Sequence, residues 1–110
     1  MVVIDTNIVI HKIRRREDIN ESITAVTLIE YPYILDYAGF KGFILFPRIM
    51  DYYLAYDIQR KLISIGKMKG FADLLISAIV INNGEELITS DEDFTDIAKV
   101  SDLKVKIIKR

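Results

Sequence analysis

The feature that most constrains this chain is its alternation of short β-branched runs with helical segments, beginning at Val2-Val3-Ile4. Three consecutive apolar β-branched residues suit a strand buried on both faces, which is the setting of a parallel sheet. Asp5-Thr6-Asn7 follows, and the spacing of Ile8, Val9, His11 and Ile13 predicts a helix through about Arg14. A second strand is expected over 22–26, after which Thr27 can cap a helix carrying Glu30 in its first turn and running to about Tyr37. Gly39 and Gly42 mark a turn, and a third strand over 43–46 ends at Pro47. Leu54, Ile58, Leu62 and Ile65 recur at helical spacing and predict a long helix over 49–65, punctuated by Gly66 and Gly70. A helix over 72–82 stops at Asn83-Gly84, and strand 86–89, helix 92–100 and strand 104–108 complete the order. Such alternation predicts a parallel α/β sheet with right-handed crossovers, folded as a single domain over 1–110.

Composition removes several chemistries. The chain of 110 residues has no cysteine, which excludes disulfides, zinc–thiolate sites and cysteine nucleophiles and fits a reducing cytoplasm. One histidine, His11, excludes any site needing two imidazoles. Asp5 interrupts the opening apolar run, so no signal peptide is expected, and no apolar stretch approaches the roughly 18 residues of a membrane span. A formal net charge of −1 offers no global attraction to nucleic acid, so any such binding has to come from local patches.

Four acids stand at the ends of the expected elements: Asp5, Glu30, Asp73 and Asp91. Each has an ordinary explanation. Asp5 can cap the following helix, Glu30 can be a solvated helix residue, and Asp91 can be a turn residue. Asp73 can favour a helix N-terminus through the dipole, although it lies between Phe71-Ala72 and Leu74-Leu75-Ile76, where burial of an unpaired charge is costly. Their joint occurrence at element ends is what those explanations leave over. In a parallel α/β fold the working site lies beyond the carboxyl ends of the strands, where Asp5 and Asp91 share an edge. Acids that converge there need cations to stay ionised together. Oxygen donors without nitrogen or sulfur select Mg²⁺ or Mn²⁺, and the chemistry implied is phosphodiester hydrolysis.

Four stretches carry a family resemblance: 2–7 (VVIDTN), 25–30 (AVTLIE), 72–78 (ADLLISA) and 87–94 (LITSDEDF). In series they resemble the PIN-domain nucleases, specifically the VapC toxins of prokaryotic toxin–antitoxin pairs, with Ser77 where alanine is usual. The resemblance implies a three-layer α/β/α sandwich with a central parallel sheet of about five strands. It implies endoribonuclease activity on RNA, with Asp5, Asp73 and Asp91 ligating Mg²⁺ or Mn²⁺ and Glu30 acting through water. Thr6 and Thr89 fit as hydroxyl donors that fix the carboxylates; Asp93 can join them around the metal, but reads rather as an exposed acid beside Phe94. The resemblance also implies a cognate antitoxin. The chain departs from the family in the short segment between Glu30 and the third strand, where a helical hairpin is usual.

Candidate phosphate contacts are Lys12, Arg14, Arg15 and Arg16, and Lys67 and Lys69, which precede Asp73 closely, whereas Arg60 and Lys61 read as ordinary solvated charges. His11 reads as a packing residue. Tyr52, Tyr53 and Tyr56 read as core and interface packing along the long helix, and a homodimer through the helices around 31–56 is expected. Two other readings are open: a catalytically inactive PIN-like RNA- or protein-binding module, and a Mg²⁺-dependent phosphoacceptor domain. The latter is weakened by Asp5-Thr6-Asn7, which lacks the acid pair of a receiver and has Asn where a HAD-type motif has a second Asp.

Overall fold

The computed structural model describes residues 1–109. The strands are β1 (Val2–Ile4), β2 (Ile23–Thr24), β3 (Ile44–Leu45), β4 (Glu86–Thr89) and β5 (Lys104–Ile107). The helices are α1 (Thr6–Arg14), α2 (Ala25–Glu30), α3 (Ile49–Ser64), α4 (Phe71–Asn82) and α5 (Asp93–Lys99), with a 3₁₀ turn at Pro32–Asp36. The architecture is α/β with parallel strands flanked by helices, as expected.

The sheet differs from the expected five-stranded one. β1, β4 and β5 form a three-stranded parallel sheet in that order, and β2 and β3 form a separate parallel pair. The two pieces meet at a parallel bridge between Val3 and Ser22, where Ile4 N–H donates to the Ser22 carbonyl at 2.9 Å. Five strands are present among the described residues, but β2 and β3 have two residues each, too short to continue the ladder.

Side-chain alternation along β1 divides the core. Val3 joins the cluster formed with Ile58 and Leu62 of α3, Leu74 and Ala78 of α4, and Phe94 and Ile97 of α5. Ile4 joins Ile8 and Val9 of α1, with Ile19, Ile23 and Ile34, on the other face. Successive strand residues point to opposite faces, so a strand covered on both sides must be apolar throughout. That is the physical reason for the opening Val-Val-Ile run, and it produces the three layers.

The second helix also departs from expectation. β2 ends at Thr24, which becomes the residue preceding α2, so Thr27 lies inside the helix and not at its start. Pro32 disfavours helical backbone at Tyr31, whose φ/ψ of −141/74 breaks the helix after Glu30. Glu30 is therefore the last residue of α2, not part of its first turn. Gly66 and Gly84 end α3 and α4 with φ of 71° and 66°, the left-handed conformation glycine adopts without a Cβ penalty.

Candidate metal centre

β1 pairs with β4 on one side and meets the β2 piece on the other, so the chain order reverses about β1. A crevice forms outside the strand ends at such a reversal. Asp5 is the first residue beyond β1 and starts α1, its Oδ1 accepting the Thr6 N–H at 2.8 Å. Asp91 lies two residues beyond β4. Glu30 ends α2, and Asp73 lies in the first turn of α4. All four acids line one cleft of about 320 Å³, together with Thr6, Asn7, Ile10 and Ile76.

Asp5, Glu30 and Asp91 each accept a hydroxyl or amide donor on the carboxylate. Thr89 donates to Asp5 Oδ2 at 2.8 Å and accepts the Asp91 N–H at 3.1 Å. Thr6 donates to Glu30 Oε1 at 2.6 Å and lies 2.9 Å from the Thr27 hydroxyl. Thr6 has a single hydroxyl hydrogen, so with Glu30 receiving it Thr27 is the donor to Thr6. Thr27, expected only as a helix cap, thus backs Glu30 through Thr6. A threonine three residues before an acid on one short helix was the available signal.

Asp93 is exposed, as expected, and it also lies close enough to join the acid cluster, the alternative its position left open. One oxygen each from Asp73, Asp91 and Asp93 lies within 4.8 Å of the others, and the Asp93 N–H donates to Asp91 Oδ1 at 2.9 Å. The S-D-E-D-F spacing contains this second acid two residues after the first, one turn residue away.

Electrostatics follow from the crowding. Burial pushes Asp73 up to about 6 from its ordinary 3.8, reinforced by the charges of Asp91, Asp5, Asp93 and Glu30. Burial also raises Asp5, against the lowering effect of its bonds from Thr89 and Thr6. With Asp73 and Asp5 both pushed up beside other acids, the cleft offers oxygen donors that suit a hard divalent cation.

The lysines separate. Lys67 is exposed, with its side chain open to solvent. Lys69 is not available in the way the sequence suggested: its ammonium lies 2.9 Å from Asp96 and 3.4 Å from Asp93. The Asp96 carboxylate holds Lys69 above the ordinary lysine range, and Lys69 in turn holds Asp96 low. Gln59 of α3 clasps the Lys69 backbone through both its amide atoms, at 2.6 and 3.1 Å. Elsewhere, Lys12 pairs with Glu21 and Arg15 with Glu17. Tyr52, Tyr53 and Tyr56 are 48%, 71% and 59% exposed, so the core part of their expected role is not met. The buried face of α3 is supplied by Ala55, Ile58 and Leu62 instead. Among the described residues, no helix is long and apolar enough to cross a membrane.

No protein-family model matches the chain, and no curated protein sequence does. Solved structures match it over nearly its full length. A chain of the VapBC2 complex from Rickettsia felis bound to a DNA fragment from its promoter aligns with a TM-score of 0.79 and 19% identity, covering 97% of this chain and 98% of that one. A chain of DNA-bound VapBC from Salmonella typhimurium gives 0.75 and 14%, covering 96% of each. VapBC-1 from nontypeable Haemophilus influenzae gives 0.67 and 17%, covering 97% and 98%. The fold is therefore that of these VapBC chains, in agreement with the PIN-like architecture implied by the four motifs.

Proposed function

We propose that this chain is a Mg²⁺- or Mn²⁺-dependent endoribonuclease of the VapC type, the toxin of a toxin–antitoxin pair. One observation carries the reading: four acids from four separate elements line a single cleft at the carboxyl edge of the sheet. The VapBC fold likeness supports it independently.

In this reading Asp5, Asp73 and Asp91 hold the divalent ion, with Asp93 as a further oxygen donor. The ion, when bound, supplies a lowered water pKa and charge stabilisation at the scissile phosphate. Glu30 ends α2 with one oxygen engaged by Thr6, so its other oxygen is the one that can orient an attacking water. Thr89 fixes the Asp5 carboxylate, and the Thr27–Thr6 relay fixes Glu30; both keep the donors aimed. Hydrolysis breaks a phosphodiester bond with water as the nucleophile, and the leaving oxygen takes up a proton. The partners assigned are RNA as substrate and a cognate antitoxin protein. A homodimer through residues 31–56 would cover Ile49, Met50 and Tyr53, which are 76%, 54% and 71% exposed.

The test is cleavage of total RNA by the wild type, Asp5→Asn and Asp73→Asn, each with Mn²⁺, Mg²⁺ or EDTA. Cleavage by the wild type alone, abolished by EDTA, is expected. Equal cleavage by all three proteins would mean that the activity lies elsewhere. Metal binding without cleavage would favour an inactive RNA- or protein-binding module.

A further inference from the structure

Beside the acid cleft lies a second depression of opposite character. It encloses about 310 Å³ between α2, the start of α3 and the start of α4, and is lined by Val26, Ile29, Pro47, Tyr52, Phe71 and Leu75 among others. Glu30 is the one charged residue in its lining, and Glu30 also lines the acid cleft. The two depressions thus adjoin at Glu30. Sequence neighbours repeat the arrangement: Ile29 precedes Glu30, and Phe71 and Ala72 precede Asp73. Ile29 is 80% exposed, Phe71 68% and Tyr52 48%. Large apolar groups left in water at the lip of a polar site mark a face that takes a ligand.

We propose that this pocket receives a nucleobase, that of a nucleotide adjoining the phosphate held at the acids. The inference rests on the nuclease reading above and extends it to how the substrate is held. A nucleotide joins an anionic phosphate, through a sugar, to a flat ring with apolar faces. The site presents matching parts in the same order: a cation-holding cluster, the shared Glu30, and an apolar pocket bearing two aromatic rings. Stacking on aromatic side chains requires the base to be out of a helix, so the pocket selects an unpaired nucleotide. With Glu30 as its only charged group, it has few means of reading base edges. Recognition there is by stacking and tolerant of base identity.

The test compares two probes of equal length and charge with Ca²⁺ replacing Mg²⁺: a single-stranded uridylate decamer and a decamer of abasic ribose phosphate. The wild type is expected to bind the uridylate probe about tenfold more tightly. Phe71→Ala and Tyr52→Ala should each reduce that preference while leaving binding of the abasic probe unchanged. Phe71 is largely exposed, so its truncation leaves the core intact. The proposal is overturned if the wild type binds both probes alike or if the variants weaken both by one factor. It is also overturned if the preference survives both substitutions, which would leave the pocket to a protein segment. The two readings fail differently. Equal binding of the probes with Mn²⁺-dependent cleavage intact sinks only the base pocket, whereas absence of both metal-dependent binding and cleavage sinks the nuclease reading too.

Discussion

Thr89, the last residue of β4, donates its hydroxyl hydrogen to Asp5 Oδ2 at 2.8 Å, although the two lie 84 residues apart in the chain. The Thr89 hydroxyl oxygen also accepts the Asp91 N–H, so one hydroxyl ties the acid after β1 to the acid after β4. Parallel pairing of Ile4 with Ile88 brings the two strand ends level and makes the bond possible.

Thr89→Val removes that hydroxyl while keeping the side-chain volume. It leaves the buried Asp5 Oδ2 without its hydroxyl donor, with the Thr6 N–H remaining on Oδ1, and the half-buried Asp91 amide without an acceptor. A stability loss of about 1–3 kcal/mol is expected, with weaker Mn²⁺ binding. Thr89→Ser should retain most of both. Denaturant unfolding and a Mn²⁺ titration of the three proteins check this, and unchanged Mn²⁺ affinity in Thr89→Val would remove Thr89 from the metal centre.

The raised pKa of Asp73 gives a signed pH dependence. Its folded value of about 6 exceeds the ordinary 3.8, so between those values the folded state binds more protons than the unfolded one. The contribution of Asp73 to stability in the metal-free protein therefore declines as pH rises through that window. The proposed metal binding runs the other way, because a divalent ion needs the ionised carboxylate. Mn²⁺ affinity should fall by up to about tenfold per pH unit below about 6. Asp73→Asn should flatten the stability slope over pH 4–6, measured by urea unfolding at a series of pH values without divalent ions.

Lys67 and Lys69 should behave differently on RNA. Lys69 is occupied by Asp96 and Asp93, so Lys69→Met should leave the salt dependence of RNA binding unchanged and reduce stability instead. Lys67 is exposed, and Lys67→Ala should lower the slope of log affinity against log salt by about one if it meets a phosphate. Binding measured over a salt series separates the two.

Asp51 provides a control remote from the cleft. Its carboxyl is fully buried, accepting the Arg48 N–H and the Asn82 side-chain amide, each at 2.7 Å, and it joins the start of α3 to the end of α4. Asp51→Ala strands the Asn82 amide and should cost about 2–4 kcal/mol. Mn²⁺ affinity of the folded protein should be unchanged. A parallel loss of metal binding would mean that α4, and Asp73 with it, depends on this clasp.

Periodicity by itself determined the element order. Val2-Val3-Ile4 had to be buried on both faces, Leu54, Ile58 and Leu62 had to mark a helix, and Gly66 and Gly84 had to end helices, because these patterns reflect local backbone geometry and side-chain direction. The placement of Asp5 and Asp91 on one edge followed from parallel topology. Tertiary structure alone decided the rest. Whether the sheet ran unbroken depended on how many residues of 22–26 and 43–46 could pair, which no single strand encodes. The roles of Thr27, Lys69 and Asp93 depended on which side chains arrived from elsewhere. Hydrogen bonds and charge pairs act over a few ångströms in space between residues far apart in sequence, so their partners exist only once the chain has folded.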